Sequence, residues 1–497
     1  MQFPLNDLDR RLAALFPAGQ AFANGGRVRD YFVDLFHGTT TASKDFDYVL
    51  TGMTAEHAAA QLRALGPVTL AGACFPVFKV NVGNKTLDVA LARKERSTGV
   101  GHRDFEVDFG IEVSVEEDAR RRDFTMNMLS VDLSTGEVRA PARALEDIER
   151  GVIRAISEHS FVEDPLRMER AVQFASRLGF AIEPQTLRWI TANRSLVESV
   201  SPERHNEELV KMLTRSPMPS QGFRLMAETG ILPFIVPELA EGIGFVQNRY
   251  HEHDVWGHNL AALDVSARTN GDLVDRLAAV FHDVGKPRSA QARPDGLGHS
   301  FHGHEIVGAE MVSDILGRLH FSNDQIEDVT LLVGLHMYAT RGSGGTDLTD
   351  ATIRRFIRAA SRETENRDVA RRRIERQFAL RFCDRIGSGR PPEDRQADNA
   401  IFEQRVWDQF AQQLALTVGH LEIDGRDIIR TAVSVGARPA GYRGDRLVGD
   451  TLRALLDAVT EDPSLNERSR LLPAAHTIVA DHAQHASPSR ATNTLSR

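Results

Sequence analysis

Asp45 and Asp47 stand two residues apart in KDFDYVLTG, and Asp88 follows in LDVALAR. Both segments read as strands. Side chains alternate across a strand, so the spacing predicts Asp45 and Asp47 on one face. Carboxylates held that close repel unless a cation sits between them. A third carboxylate on a neighbouring strand would complete a site for two Mg²⁺ ions, which activates an attacking hydroxyl and stabilises a departing pyrophosphate. Alone, D-x-D fits an exposed strand face equally well. Here Gly25-Gly26 precedes a helix starting near Arg27, where backbone N–H groups and the helix dipole favour phosphate, and Arg27 and Arg29 add charge. A lone GG is also a simple helix-start turn. GG, then a helix, then D-x-D about twenty residues later is a more specific arrangement.

The surrounding elements are readable from periodicity. Leu8 to Phe16 reads as a short amphipathic helix, Ala21 to Ala23 as a brief strand, and TAEHAAAQLRALG as a helix opened by an N-cap Thr and closed by Gly. FPVFKVNVGNKTLDVALAR reads as two strands joined around Gly83-Asn84. From about Ala144 the pattern turns helical, with Leu166, Ala171, Phe174, Ala175 and Leu178 near one helix face. Breaks fall at Ser216–Gln221, Ala290–Ser300, Arg341–Thr346 and Gly387–Pro392, and the last segment, AQHASPSRATNTLSR, has no apolar period and reads as disordered.

At 497 residues the chain predicts two to four domains. No apolar run is long enough to span a bilayer, and the N-terminus lacks the basic-then-apolar order of a signal peptide. Cys74 and Cys383, far apart, give neither a disulfide framework nor a thiolate metal site, which fits a reducing cytoplasm. The net charge of -9 weighs mildly against a nucleic-acid coat, yet Arg120-Arg121-Arg122 and Arg371-Arg372-Arg373 leave room for a basic face.

GGRVRD followed by DFDYVLTG resembles the head of the class II nucleotidyltransferases, the CCA-adding enzymes and bacterial poly(A) polymerases. LDVALARKE resembles the strand carrying the third carboxylate. RRDFTMN resembles the RRDFTxN motif that contacts the ribose, EDPLR the EDxxR motif, and ERHNEEL the ERxxxEL segment of the neck. The resemblance implies catalytic and metal-binding roles for Asp45, Asp47 and Asp88. It implies nucleotide contacts for Gly25, Gly26, Arg27, Arg29, Arg121, Arg122, Asp123, Asn127, Asp164, Arg167, Arg170, Glu203 and Arg204. In the family the Asp and Arg of EDxxR read the Watson–Crick edge of the incoming base; here they are Asp164 and Arg167, expected one turn apart on a helix face. CTP and ATP both present an amine beside a ring acceptor. Without the other motifs, an ordinary helix salt bridge explains the pair as well. Two departures stand out: Met128 replaces the usual Ala, and Arg139-Ala140-Pro141-Ala142 replaces DPxxG, although Asp147 is kept.

His282-Asp283, expected on a helix and followed by Gly285-Lys286, resembles the HD superfamily of metal-dependent phosphohydrolases. Matching residues for the other ligands are His258, His304, His336 and Asp384; His302 competes with His304, and His251 and His253 fit less well. Imidazole and carboxylate ligands suit Mg²⁺, Mn²⁺, Ni²⁺ or Fe²⁺ better than a thiolate-built Zn²⁺ site. The alternatives are histidines that pack or cap, or an inactive HD domain that only holds RNA.

The fold class implied is α+β: a nucleotidyltransferase head with a small mixed sheet and helices, then an all-α neck, body and HD domain. The expected boundaries are a head over 1–142, a helical neck and body over 143–250, an HD domain over 251–390, a helical tail over 391–482 and a disordered end over 483–497. LEIDGRDII, Leu421 to Ile429, resembles a segment after the HD domain in longer bacterial members, and its own residues read as a helix start with Asp424 as cap. The implied activity is template-independent addition of CCA, or part of it, from CTP and ATP to the 3′ end of tRNA. Mg²⁺ would serve the head and a divalent metal the HD domain, with no membrane partner. Poly(A) synthesis on RNA 3′ ends, or a mainly HD-type phosphohydrolase, are the alternatives; the short tail, not strongly basic, favours tRNA.

Overall fold

The apolar runs of the first third form a mixed sheet with its helices, and a separate two-stranded sheet. In a computed structural model, residues 1–40, 45–71, 77–97, 105–108, 111–247, 252–294, 298–338, 348–362, 364–389, 396–412 and 414–485 are described. Two units result: Met1–Glu241 with Arg318–Phe321, and Gly242–Gly317 with Ser322–Arg497.

The first unit begins α1 (Asp7–Ala13), β1 (Ala21–Asn24), α2 (Gly25–His37), β2 (Asp47–Leu50), α3 (Ala55–Leu62), β3 (Val68–Ala71), β4 (Val77–Val82), β5 (Lys85–Leu91), β6 (Lys94–Ser97), β7 (Phe105–Asp108), α4 (Val115–Ala119), β8 (Ser130–Asp132) and β9 (Val138–Arg139). Seven strands form a mixed sheet in the order β3-β4-β5-β2-β1-β8-β9. Only β2 and β5 pair in parallel. Phe32, Leu50, Leu62, Leu87 and Phe124 are among its buried side chains. The Gly83-Asn84 turn joins β4 and β5 as expected, with Gly83 at φ 62°.

Two expectations need correction here. Asp45 precedes β2 rather than lying in it: β1 ends at Asn24, opposite Asp47, so no strand remains on that side to pair with Asp45. Thr54 does cap α3, but the helix ends at Leu62, short of Gly66. Gly66 serves instead as a close approach, because a Cβ there would lie 2.0 Å from Asn81 O.

The same unit continues through α5 (Ala142–Glu149), β10 (Val152–Ile153), α6 (His159–Glu163), α7 (Leu166–Leu178), β11 (Ala181–Ile182), α8 (Pro184–Asn193), α9 (Pro202–Arg215), α10 (Ser220–Thr229), α11 (Leu232–Ile235) and α12 (Pro237–Ala240). This region is helical apart from the short parallel pair β10–β11. Asp164 and Arg167 do not share a helix face. Asp164 is extended (φ -142°, ψ 97°) between α6 and α7, because the ring of Pro165 disfavours helical backbone in the residue before it.

The second unit comprises α13 (Val255–Arg268), α14 (Leu273–Phe281), α15 (Lys286–Ser289), β12 (Gln291–Ala292), β13 (His299–Ser300), α16 (His304–Arg318), α17 (Asn323–Leu335), α18 (Asp350–Ser361), α19 (Arg367–Gly387), α20 (Gln396–Ala411), α21 (Gly425–Ser434), α22 (Arg446–Glu461) and α23 (Arg468–His485). Phe356, Phe378, Phe402 and Val406 anchor one apolar cluster, and Ile428, Leu455, Leu456 and Val479 another. Asp424 caps α21 with a reciprocal capping box. His282 and Asp283 lie in the turn after α14, not within a helix. Gly285 closes that turn so tightly against α16 that a Cβ there would lie 2.3 Å from His304 O. His251, Arg341–Thr346 and the end of the chain beyond residue 485 fall outside the described residues, while residues 483–485 are the last turn of α23.

Candidate active sites

Strand register sets a row of four side chains across one face of the sheet. Lys79 on β4 is opposite Asp88 on β5, Asp88 is beside Asp47 on β2, and Asp47 is opposite Asn24 on β1. Register partners project to the same face, so residues distant in sequence meet. Asp45, exposed just before the strand, raises the Asp47 carboxyl electrostatically. Asp47 sits above the usual carboxylate range because of burial first, then the charges of Asp45 and Asp88, against the pull of Arg122 and Arg27. Carboxylates crowded until one favours its proton fit a site that a divalent cation completes. Gly25 opens α2 at φ +75°, and a Cβ there would lie 2.2 Å from Asp47 Oδ2, so only glycine fits.

The arginines of the glycine turn have other work. Arg27 forks onto Asp9 (2.7 and 3.0 Å) and is surrounded by the rings of Phe3, Phe46 and Tyr48; Tyr48 Oη donates to the same Asp9 at 2.8 Å. Arg29, buried, donates to Asp30 and to Asn127 Oδ1 (2.9 Å). Arg122 is the arginine that reaches the row: its guanidinium is 2.8 Å from the Asn24 side-chain amide, which accepts from it with the oxygen turned toward Arg122, the orientation that satisfies both ends of the amide.

A chain of partly buried ion pairs links the row to the neck. Arg121 and Arg122 both pair with Asp118 and hold its carboxyl low despite burial. Asp123 accepts from Asn127 (2.7 Å) and Arg170 (2.8 Å), which likewise outweigh its burial. Arg167 donates to Glu163 (3.2 Å) and to Arg121 O (3.0 Å). Asp164 accepts two bonds from Arg204 (3.0 and 2.8 Å) and one from Leu166 N–H (3.3 Å). Glu203 is exposed and meets His320 at 2.8 Å. Asn24, Lys79, Asp118 and Asp9 escaped the sequence reading. Lys79 had a usable signal, because a two-residue turn at 83–84 puts residue 79 opposite residue 88.

In the second unit six residues converge. His258 and His282 face each other through Nε2 at 3.0 Å, and His304 and His336 likewise at 3.1 Å. Asp283 lies between the pairs: one oxygen is 3.3 and 3.4 Å from His258 and His282, the other 3.2 and 3.5 Å from His304 and His336. Asp384, from α19, is 3.0 Å from His258 Nε2 and is the partly exposed member, at 30%. Three rings are fixed from behind, Nδ1 of His282, His304 and His336 donating to the carbonyls of Ala279, Phe301 and Val333 at 2.9, 2.7 and 2.6 Å. A carbonyl only accepts, so each Nδ1 carries a proton and each Nε2 can offer a lone pair to a metal. Burial alone would lower His282, yet Asp283 and Asp384 push it up to about 10, so the carboxylates draw in positive charge. That donor set and charge deficit fit a divalent cation. Lys286 pairs with Asp283 and donates to Gln247 Oε1 at 2.7 Å; of these three residues only Gln247 had no signal in the sequence. His302 is exposed, and His253 is exposed as well.

Three family profiles match in chain order: the poly(A) polymerase head domain over 21–154, the "Probable RNA and SrmB- binding site of polymerase A" over 179–243, and the HD domain over 255–385. The A-adding tRNA nucleotidyltransferase of Deinococcus radiodurans is 34% identical over 349 residues, 69% of this chain and 73% of that protein. The multifunctional CCA protein of Nitrosococcus oceani is 31% identical over 451 residues, 89% of this chain and 98% of that one. The chain belongs to the tRNA nucleotidyltransferase family. It is a nucleotidyltransferase with an HD domain, and both sites belong to domain types that use divalent metal. The structure of the Bacillus stearothermophilus CCA-adding enzyme in complex with CTP shares the fold, with TM-score 0.60 at 22% identity over 94% of this chain and 95% of that one. No helix among the described residues is long and apolar enough to cross a membrane.

Proposed function

We propose that this nucleotidyltransferase adds CCA, or part of it, from CTP and ATP to the 3′ end of tRNA, with Mg²⁺ at Asp45, Asp47 and Asp88. The observation that carries the reading is the parallel register that sets Asp47 beside Asp88, with Gly25 packed on Asp47 and Asp45 at the mouth. When bound, Mg²⁺ supplies positive charge for the 3′-hydroxyl and the departing pyrophosphate. Asp45, Asp47 and Asp88 would hold it. Gly25 leaves backbone N–H groups at the start of α2 open to phosphate. Asp123 and Asn127, locked together by Arg170 and Arg29, offer a rigid ribose contact.

Asp164 and Arg167 read the base. The fork of Arg204 fixes the plane of the Asp164 carboxylate; with three of roughly four acceptor sites filled, one remains for an exocyclic amine. Arg167 keeps N–H groups beyond the two engaged. The test supplies tRNA transcripts ending before the first C, after CC, and complete, each with one labelled NTP, to wild type and Asp45→Ala. Incorporation of C or A by wild type and none by the variant is expected; equal incorporation would refute the mechanism.

The six-residue cluster supports a second activity, hydrolysis of a phosphoester with Mg²⁺, Mn²⁺, Ni²⁺ or Fe²⁺ at His258, His282, Asp283, His304, His336 and Asp384. Metal-dependent release of phosphate by wild type, lost in Asp283→Ala, is the expected result; persistent metal-dependent hydrolysis in that variant excludes the site.

A further inference from the structure

Two residues of the row across the sheet, Asn24 and Lys79, are used by none of the catalytic roles above, and of these only Lys79 carries a charge. Lys79 Nζ lies 2.9 and 3.1 Å from the two oxygens of Asp88, while Asp47, next in the row, makes no such ion pair among the described residues. The pair is half-exposed on both sides, at 45% and 40%. A pair that exposed is held weakly and exchanges readily.

We propose that Lys79 is a built-in counter-ion for the third carboxylate: it neutralises Asp88 in the free enzyme, yields Asp88 to the divalent cation, and then pairs with the triphosphate of the incoming nucleotide. The inference rests on the assignment of Asp45, Asp47 and Asp88 as the metal site. A divalent cation on Asp47 and Asp88 repels an ammonium a few ångströms away. The lysine stem is flexible, and its head is displaced on the face where the nucleotide phosphates must lie, the face that Gly25 opens. Metal and nucleotide then favour each other. The ion alone must displace Lys79, whereas with a triphosphate present the displaced ammonium gains an anionic partner. No covalent step is involved.

The test is calorimetric titration of Mn²⁺ into the full chain, with and without a non-hydrolysable CTP analogue. The head class of sites is defined as the one lost in Asp47→Asn, which separates it from the histidine cluster. In Lys79→Met, Mn²⁺ binding to the nucleotide-free protein should tighten by roughly tenfold. The tightening that the analogue brings should shrink, and KM for CTP should rise. Lys79→Arg, keeping the charge, should stay near wild type. Unchanged or weaker Mn²⁺ binding in Lys79→Met overturns the role of Lys79. If Asp47→Asn removes no class of sites, the metal assignment itself fails, which is a different result.

Discussion

The two sites hold their ligands in opposite ways. In the histidine cluster the rings are buried, and three of the four are fastened from behind by main-chain carbonyls, with Asp283 wedged between the two pairs. In the head, Asp45 is exposed, Asp88 is half-exposed and carries a lysine, and the alignment comes from strand register. A buried, pre-oriented set favours tight binding and slow exchange of an ion. An open, counter-ion-bearing set takes its ion together with the substrate. Both carboxylate groups are crowded, but only in the histidine cluster do neighbouring rings share the charge.

Substitutions can break this contrast. Asp47→Ala should lower nucleotide incorporation by on the order of 10³-fold or more while the metal content of the histidine cluster stays unchanged. Co-loss of that metal would mean the sites are not independent. Asp283→Asn should do the reverse, emptying the cluster as read by elemental analysis, with nucleotide addition retained. Gly25→Ala should cost about 10²-fold in kcat, since its Cβ would push Asp47 out of position; incorporation close to wild type would show that Asp47 tolerates the shift. Arg27→Met should destabilise by about 3 kcal/mol, because it strands buried Asp9. Thermal unfolding measures this, and a loss of nucleotide affinity with unchanged Tm would return Arg27 to a phosphate role.

The smallest effect expected is in pH. Asp47 is raised by burial and by its acidic neighbours, so its folded value exceeds its unfolded one. Proton and cation compete for it, and head-site Mn²⁺ binding should begin to weaken, as pH falls, at a higher pH than an ordinary carboxylate would give. Raising pH through that window restores the ionised form. A titration midpoint at the usual carboxylate pH would contradict this.

Much of this was legible in the residues. The helix–strand–helix order up to α3, the Gly83-Asn84 hairpin and the strands that set Asp47 beside Asp88 follow from periodicity and turn chemistry, and the six residues that converge in the histidine cluster follow from family resemblance. What was not legible depended on tertiary partners. Arg27 looks like a phosphate ligand until α1 brings Asp9 beneath it. Asp164 and Arg167 look like a helix pair until Pro165 is given its effect on the preceding residue, which turns Asp164 toward Arg204 on α9. His282-Asp283, expected on a helix, lies instead in the turn after α14, where Gly285 allows a close approach to α16.

The Gly83-Asn84 turn lies at the far end of the hairpin from the chemistry, yet its length acts as an address. Adding or removing one residue there would slide β4 past β5 and turn Lys79 to the opposite face of the sheet, leaving Asp88 faced by a neighbour of different character. An exposed loop tip ordinarily accepts insertions. This one, although its glycine has open space around it, is constrained by the strand it sets in register: the same slide would turn buried Phe78 and Val80 out of the core, so length changes there should cost stability together with the Lys79–Asp88 pair.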